Sequence, residues 1–195
     1  IRNATHLLFR TKLAEAVGTD VACVALHCVH QHTAPSYDGE AQELFNKQKE
    51  AVQIRDLEFL AKCTDRLAAA AQQSLERLEP FDSIGTSRAK VDRVASNRRI
   101  PTDDGRVRWR GSACTNVELR AAPEGLIDPY LKTITLARSG KPLVRLHYYA
   151  THPQSRYGEG RADIDTAGTA RQRLEKKEGV FQMYFTGCWG DVAMG

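Results

Sequence analysis

The chain has 195 residues, 42% of them hydrophobic and 27% charged, a globular composition that excludes a disordered or collagen-like chain. Lys and Arg number 28 against 24 Asp and Glu, for a net charge of +4. The two signs are mostly interleaved, which gives no basic face and argues against a nucleic-acid partner. The longest apolar run, Val21 to Leu26, is far below the ~18 residues of a membrane span. Arg2 and Asn3 lead straight into an amphipathic stretch that does not read as a signal peptide.

Ala4 to Val17 reads as a helix with Leu7, Leu8, Leu13 and Ala14 on one face and Gly18 as its stop. Val21–Leu26 reads as a strand buried on both faces, ending in the polar stretch His27 to Pro35. A long helical pattern follows from Gln42 to Leu78, as one helix or as two broken near Gln48, with Pro80 as its end. Ser83 to Val91 reads as a strand. Asp104-Gly105 is a hairpin signal, and beyond it Arg106, Arg108 and Arg110 alternate with Val107 and Trp109. Lys132–Arg138 and Leu143–Ala150 flank Ser139-Gly140 as a second hairpin. Asp165 caps a helix from Thr166 to Lys177, Gly179 stops it, and Val180–Phe185 is a last strand. This order predicts one α/β domain over residues 1–195, a mixed β-sheet with helices on its faces.

The five cysteines show no Cys-x-x-Cys spacing, which argues against a thiolate zinc site. Cys23 reads as core, and one disulfide in an exported protein stays open. The strands predicted at Val21–Leu26, Leu143–Ala150 and Val180–Phe185 run into His30 and His32, His152, and Gly190-Asp191 respectively. In open α/β sheets, ligands gather beyond the carboxyl ends of strands. Neutral imidazole is a common zinc ligand, and a His-x-His pair on extended backbone points both rings to one side, ~6–7 Å apart. Two loop histidines bonded to backbone is the other reading. His27 is a further candidate or a core residue, while His6 and His147 have no supporting context. Asn97-Arg98-Arg99 suits an anion or a polarised carbonyl, or is a solvated basic loop. Cys188 sits in a glycine-flanked turn without an evident base and reads as structural.

In this order the clusters resemble the neutral/alkaline (non-lysosomal) ceramidase family in its N-terminal catalytic domain. His30-Gln31-His32-Thr33-Ala34-Pro35 is similar to the family's His-Thr-His-Ser-Gly/Ala-Pro, and Asn97-Arg98 to its Asn-Arg. Gly140-Lys141-Pro142 and Thr151-His152-Pro153 are similar to its Gly-Lys-Pro hairpin and His-Pro strand end. Asp165-Thr166-Ala167-Gly168 resembles Asp-x-Pro-Gly, and Gly190 to Gly195 stands against Gly-Asp-Val-Ser-Pro-Asn. The resemblance implies a Zn2+ amidohydrolase, part of a larger catalytic domain and exported. Its implied substrate is a small or lipid-like amide met at a membrane surface. It implies His30 and His152 as zinc ligands and His32, Arg98 and Asp191 as the catalytic set. The family's other two ligands, a glutamate and a tyrosine, lie downstream of Gly195. Its active-site serine falls at Ala193, so ceramide itself is not the expected substrate. The alternative is a domain that keeps the metal pocket and binds a metal or lipid without turnover.

Overall fold

A computed structural model of the protein describes residues 1–156, 158 and 160–194. The chain divides into two compact units, Ile1–Cys28 with Pro35–Glu79, and Val29–Ala34 with Pro80–Gly195.

The first unit is helical. Helix α1 spans Asn3–Val17 and ends, as its sequence predicts, on Gly18, whose left-handed φ of 69° suits glycine. Its buried residues are Thr5, Phe9 and Ala14, and Leu13 is half-buried, whereas Leu7 and Leu8 are exposed, so the expected face is buried only at its C-terminal half. Val21–Leu26 is not a strand. Asp20 caps a short 3-10 turn over Val21–Cys23 by accepting from the Ala22 N–H at 2.7 Å. Arg10 of α1 donates to the carbonyls of Val21 (2.5 Å) and Val24 (2.9 Å), and the His6 ring lies 3.3 Å from the Leu26 carbonyl. These carbonyls find side-chain partners, so the segment needs no strand ladder. Cys23, expected in a core, is exposed. Of the two readings of the Gln42–Leu78 pattern, the broken one forms, as helices α2 (Gly39–Asn46) and α3 (Leu57–Ser74). Between them, the buried Gln42 side chain donates to the Val52 carbonyl and accepts from Ile54 and Arg55, fixing the returning loop. Asp56 then restarts the helix by capping the Phe59 N–H.

The second unit holds the sheet. Strands β1 (Ser83–Lys90), β2 (Ala95–Asn97), β3 (Arg99–Pro101) and β4 (Val107–Trp109) precede helix α4 (Val117–Ala121). Strands β5 (Tyr130–Arg138) and β6 (Lys141–Tyr149), helix α5 (Asp165–Glu178), and strands β7 (Phe181–Thr186) and β8 (Val192–Met194) follow. The main sheet has the order β1-β5-β6-β7, while β2 pairs with β8 and β3 with β4. Both predicted hairpins form. Ser139 and Gly140 take φ of 51° and 76°, the geometry that a two-residue turn between twisted strands requires. β6 and β7 are parallel, and α5 supplies the crossover that a parallel pair needs. α5 lies over the sheet face bearing Leu131, His147, Tyr149 and Tyr184, with a cavity of about 210 Å³ between them. Ala95, Tyr149 and Val192 form the buried core beside it. The architecture is therefore mixed α/β. Among the described residues no helix is long and apolar enough to cross a membrane, and all five cysteines are free thiols.

Arg110 departs from the basic stripe that its spacing predicts. It is 4% exposed, and its guanidinium donates to the carbonyls of Asn97, Leu119, Ala122 and Pro123. It staples the 119–124 turn to the end of β2. Arg110→Met should lower the unfolding free energy by about 2–3 kcal/mol, because several buried acceptors lose one shared donor at once. Urea unfolding measures this, and a loss under ~0.5 kcal/mol, the range of ordinary surface changes, would contradict the role.

Candidate metal centre

Two segments carry the imidazoles, and each is held by backbone. β6 leaves the sheet through Thr151 and His152, both almost fully buried. The Val192 carbonyl, at the start of β8, accepts from the His152 backbone N–H (3.3 Å) and from ring Nδ1 (2.7 Å). A carbonyl can only accept, so Nδ1 carries the proton and the Nε2 lone pair is left for a ligand. The other segment, His30 to Ala34, does not follow a strand. His30 has a φ of 61°, left-handed backbone that is uncommon without glycine. The expected extended His-x-His geometry is therefore replaced by a turn. Thr33 anchors it, donating its hydroxyl to the Arg156 carbonyl and accepting the Asp163 N–H at 2.7 Å. Asp165 braces the same loop, its carboxylate accepting from the N–H groups of Ser155 (3.1 Å) and Arg156 (3.2 Å). Asp165 is thus the first helical residue of α5, with Ile164 at the N-cap, rather than the predicted cap.

The turn brings the three rings together. Ring centroids are 4.9 Å apart for His30 and His32, 5.2 Å for His30 and His152, and 5.7 Å for His32 and His152. One nitrogen from each lies within 4.8 Å of the others. A tetrahedral zinc with bonds of 2.0–2.1 Å wants its donors ~3.3 Å apart, within reach of small side-chain rotations. His30 and His32 are exposed and His152 is buried, so the cluster is open on one side. Trp189 walls another side, 4.4 Å from the His30 ring and 4.2 Å from His152. The three imidazoles fit a borderline-soft divalent metal such as zinc.

The local charges favour unprotonated donors. Burial holds the pKa of His30 below its ordinary value of 6.5, and the Arg98 charge adds to this. Burial lowers His32 first, helped by His30 and Arg98 and opposed by Asp165. Burial also lowers His152, against the bond to the Val192 carbonyl, which raises it. A histidine whose folded-state pKa is depressed takes up protons in the unfolded chain first. Stability is then present above pH 6.5 and is lost as the pH falls below it. The urea midpoint of metal-free protein should drop between about pH 7.5 and 5.5, and the triple variant H30N/H32N/H152N should flatten that drop. An unchanged slope in the triple variant would sink the prediction.

The remaining expected residues fall nearby. Arg98 leaves the end of β2, its backbone N–H bonded to the Asp191 carbonyl at 2.9 Å. Its guanidinium bonds Gln154 and lies over Trp109, with its charge acting on all three histidines. Arg99 points to the Asp191 carboxylate instead, at 3.2 Å in an ion pair. That carboxylate also accepts weakly from Asn97 at 3.4 Å. Ala193 is 1% exposed in β8, opposite Ser96 of β2. Gly195, set against the family's asparagine, lies outside the described residues. Cys188 is exposed and, like His27, is not in the imidazole group. His147 is a buried structural residue between Thr133 and Gln182. Trp189, Gln154 and the Val192 carbonyl were not singled out from sequence. Trp189 sits in the Gly-Cys-Trp-Gly-Asp turn that was noted for its cysteine.

These features define a class: a mixed α/β domain with a three-imidazole candidate metal centre just past a sheet strand. No protein-family model and no curated protein sequence matches the chain. Two solved structures share its fold. The neutral ceramidase from Pseudomonas aeruginosa superposes with a TM-score of 0.65 at 14% identity, over 97% of this chain and 29% of that one. A ceramidase complexed with C2 gives 0.64 at 14% identity, over 97% and 28%. The chain thus spans less than a third of the length of these neighbours, and at this identity the likeness establishes the fold alone.

Proposed function

We propose that this chain forms part of the catalytic domain of a zinc-dependent hydrolase of the neutral ceramidase kind, acting on an amide other than ceramide. The observation that carries this reading is the convergence of His30, His32 and His152, with the His152 tautomer set by Val192. His30 and His152 would hold the metal. Bound zinc supplies a Lewis acid that acidifies water toward neutral pH and polarises a carbonyl. His32, whose depressed pKa leaves it unprotonated near neutrality, accepts a proton and returns it to the leaving amine. Arg98 steadies the oxyanion that develops on the substrate carbonyl. Trp189 offers an apolar wall suited to the hydrocarbon part of a lipid-like amide. Ala193 favours a second reading, a domain that binds metal or lipid without turnover, because a methyl group stands where the resembling family has a hydroxyl. Turnover on a panel of N-acyl amides and esters, with zinc and after chelation, separates the two. Zinc-dependent hydrolysis supports the enzyme. Metal or lipid binding without hydrolysis of any member supports the second reading, and failure to bind either metal or lipid sinks both.

A further inference from the structure

We infer that Gln154 is a positioning residue that holds the Arg98 guanidinium, at full charge, toward an oxyanion at the three-histidine centre. The inference rests on the proposed function and deepens it. Arg98 has five N–H donors and no acceptor. Its Nη2 donates to Gln154 Oε1 at 3.0 Å, its guanidinium carbon sits 5.5 Å from the Trp109 ring centroid, and its Nε is buried with no partner. Among the described residues no carboxylate hydrogen-bonds this guanidinium, since the Asp191 carboxylate is engaged by Arg99 and Asn97. A neutral amide therefore makes the side-chain hydrogen bond that fixes the arginine, while the Asp191 carboxylate acts on it through its charge and not through a hydrogen bond. Gln154 is itself fixed. The Ser112 hydroxyl donates to the same Oε1 at 3.1 Å, and the Gln154 N–H donates to the His152 carbonyl at 3.0 Å. The segment that carries the buried histidine thus also carries the clamp on the arginine. Both partners of Oε1 act as donors, so the side-chain oxygen, not the nitrogen, must face them. The buried Nε–H, which has no partner among the described residues, then remains to donate to an oxygen of a tetrahedral oxyanion or a carboxylate.

Inorganic phosphate serves as the tetrahedral oxyanion probe. It is titrated into metal-free and zinc-loaded protein and followed by calorimetry and by the fluorescence of Trp109 and Trp189, the two tryptophans of the chain. Gln154→Met keeps the side-chain length and removes the acceptor. It should weaken phosphate binding about tenfold, as the loss of one charge-assisted hydrogen bond does. Arg98→Ala should do the same, and the double variant should lose no more than Arg98→Ala alone, because Gln154 acts through the arginine. Zinc stoichiometry should stay unchanged in Gln154→Met. If its melting temperature falls well below wild type, Ser112→Ala makes the same test with a smaller loss, about threefold. Phosphate affinity within twofold of wild type in Gln154→Met, losses that add in the double variant, or no phosphate binding by wild type would each overturn the inference. If the wild-type protein binds no zinc, the proposed metal centre fails by itself, and the metal-free titrations still decide the role of Gln154.

Discussion

One zinc ion should bind per chain, and His152→Ala should weaken that binding by at least ~100-fold, above the 10–100-fold that loss of an outer-sphere partner costs. His152 should matter most of the three histidines. It is buried, so its ring is held at no further entropic cost, and the Val192 carbonyl fixes its proton on Nδ1. His30 should come next. Its left-handed backbone, with a φ of 61°, stores strain that the fold maintains, the kind of strain that gathers at functional sites. His30→Gly relieves that strain and removes the ring, so it should lose zinc while gaining thermal stability in the metal-free state. His32→Ala should cost least in affinity if its role is proton transfer rather than coordination. Competition with a chelator of known affinity measures each variant. Wild-type affinity in His152→Ala would mean that the three rings gather for packing and not for a metal.

The parts of the fold that were legible in sequence are those where local chemistry and periodicity agree. Alternation through Tyr130–Arg138 and Lys141–Tyr149, joined by Ser139-Gly140, specifies a hairpin without reference to anything distant. Gly18 and Gly179 stop their helices in left-handed conformations for the same local reason. Val21–Leu26 was misread because a short continuous apolar run has no period that separates a buried strand from other structure. What decided it was Arg10, eleven to fourteen residues upstream, bonding the Val21 and Val24 carbonyls. The candidate site divides in the same way. The identities of His30, His32 and His152 mark them as candidate site residues, but the anchor that orients His152 is a backbone carbonyl, a group every residue carries, so nothing in the sequence singles out Val192. Arg98 and Arg110 look alike in sequence. The fold turns one toward the imidazoles and buries the other among carbonyls, a distinction that depends on the 119–124 turn rather than on either arginine's neighbours.

Ceramide turnover by the zinc-loaded protein should be lower by ~10²–10³ than that of an enzyme with a hydroxyl in the site, the usual cost of one missing hydrogen-bond donor to a transition state. Short N-acyl amides should be preferred over ceramide, since their hydrolysis asks only for the metal, His32 and Arg98. The position of residue 193 sharpens the test. Ala193 is 1% exposed and sits in the β2–β8 ladder opposite Ser96. A hydroxyl placed there by Ala193→Ser has no water to meet and costs about 1–3 kcal/mol unless it finds a protein partner. If the hydroxyl turns toward the site, the variant gains ceramide hydrolysis with little loss of melting temperature. If it stays between the strands, the variant loses stability and gains nothing. Both outcomes keep the wild-type chain poor on ceramide, and they differ only in whether the turn after Trp189 still presents residue 193 to a substrate. Robust ceramide hydrolysis by the unmodified protein would show instead that the metal and Arg98 suffice, and that the alanine does not set the substrate.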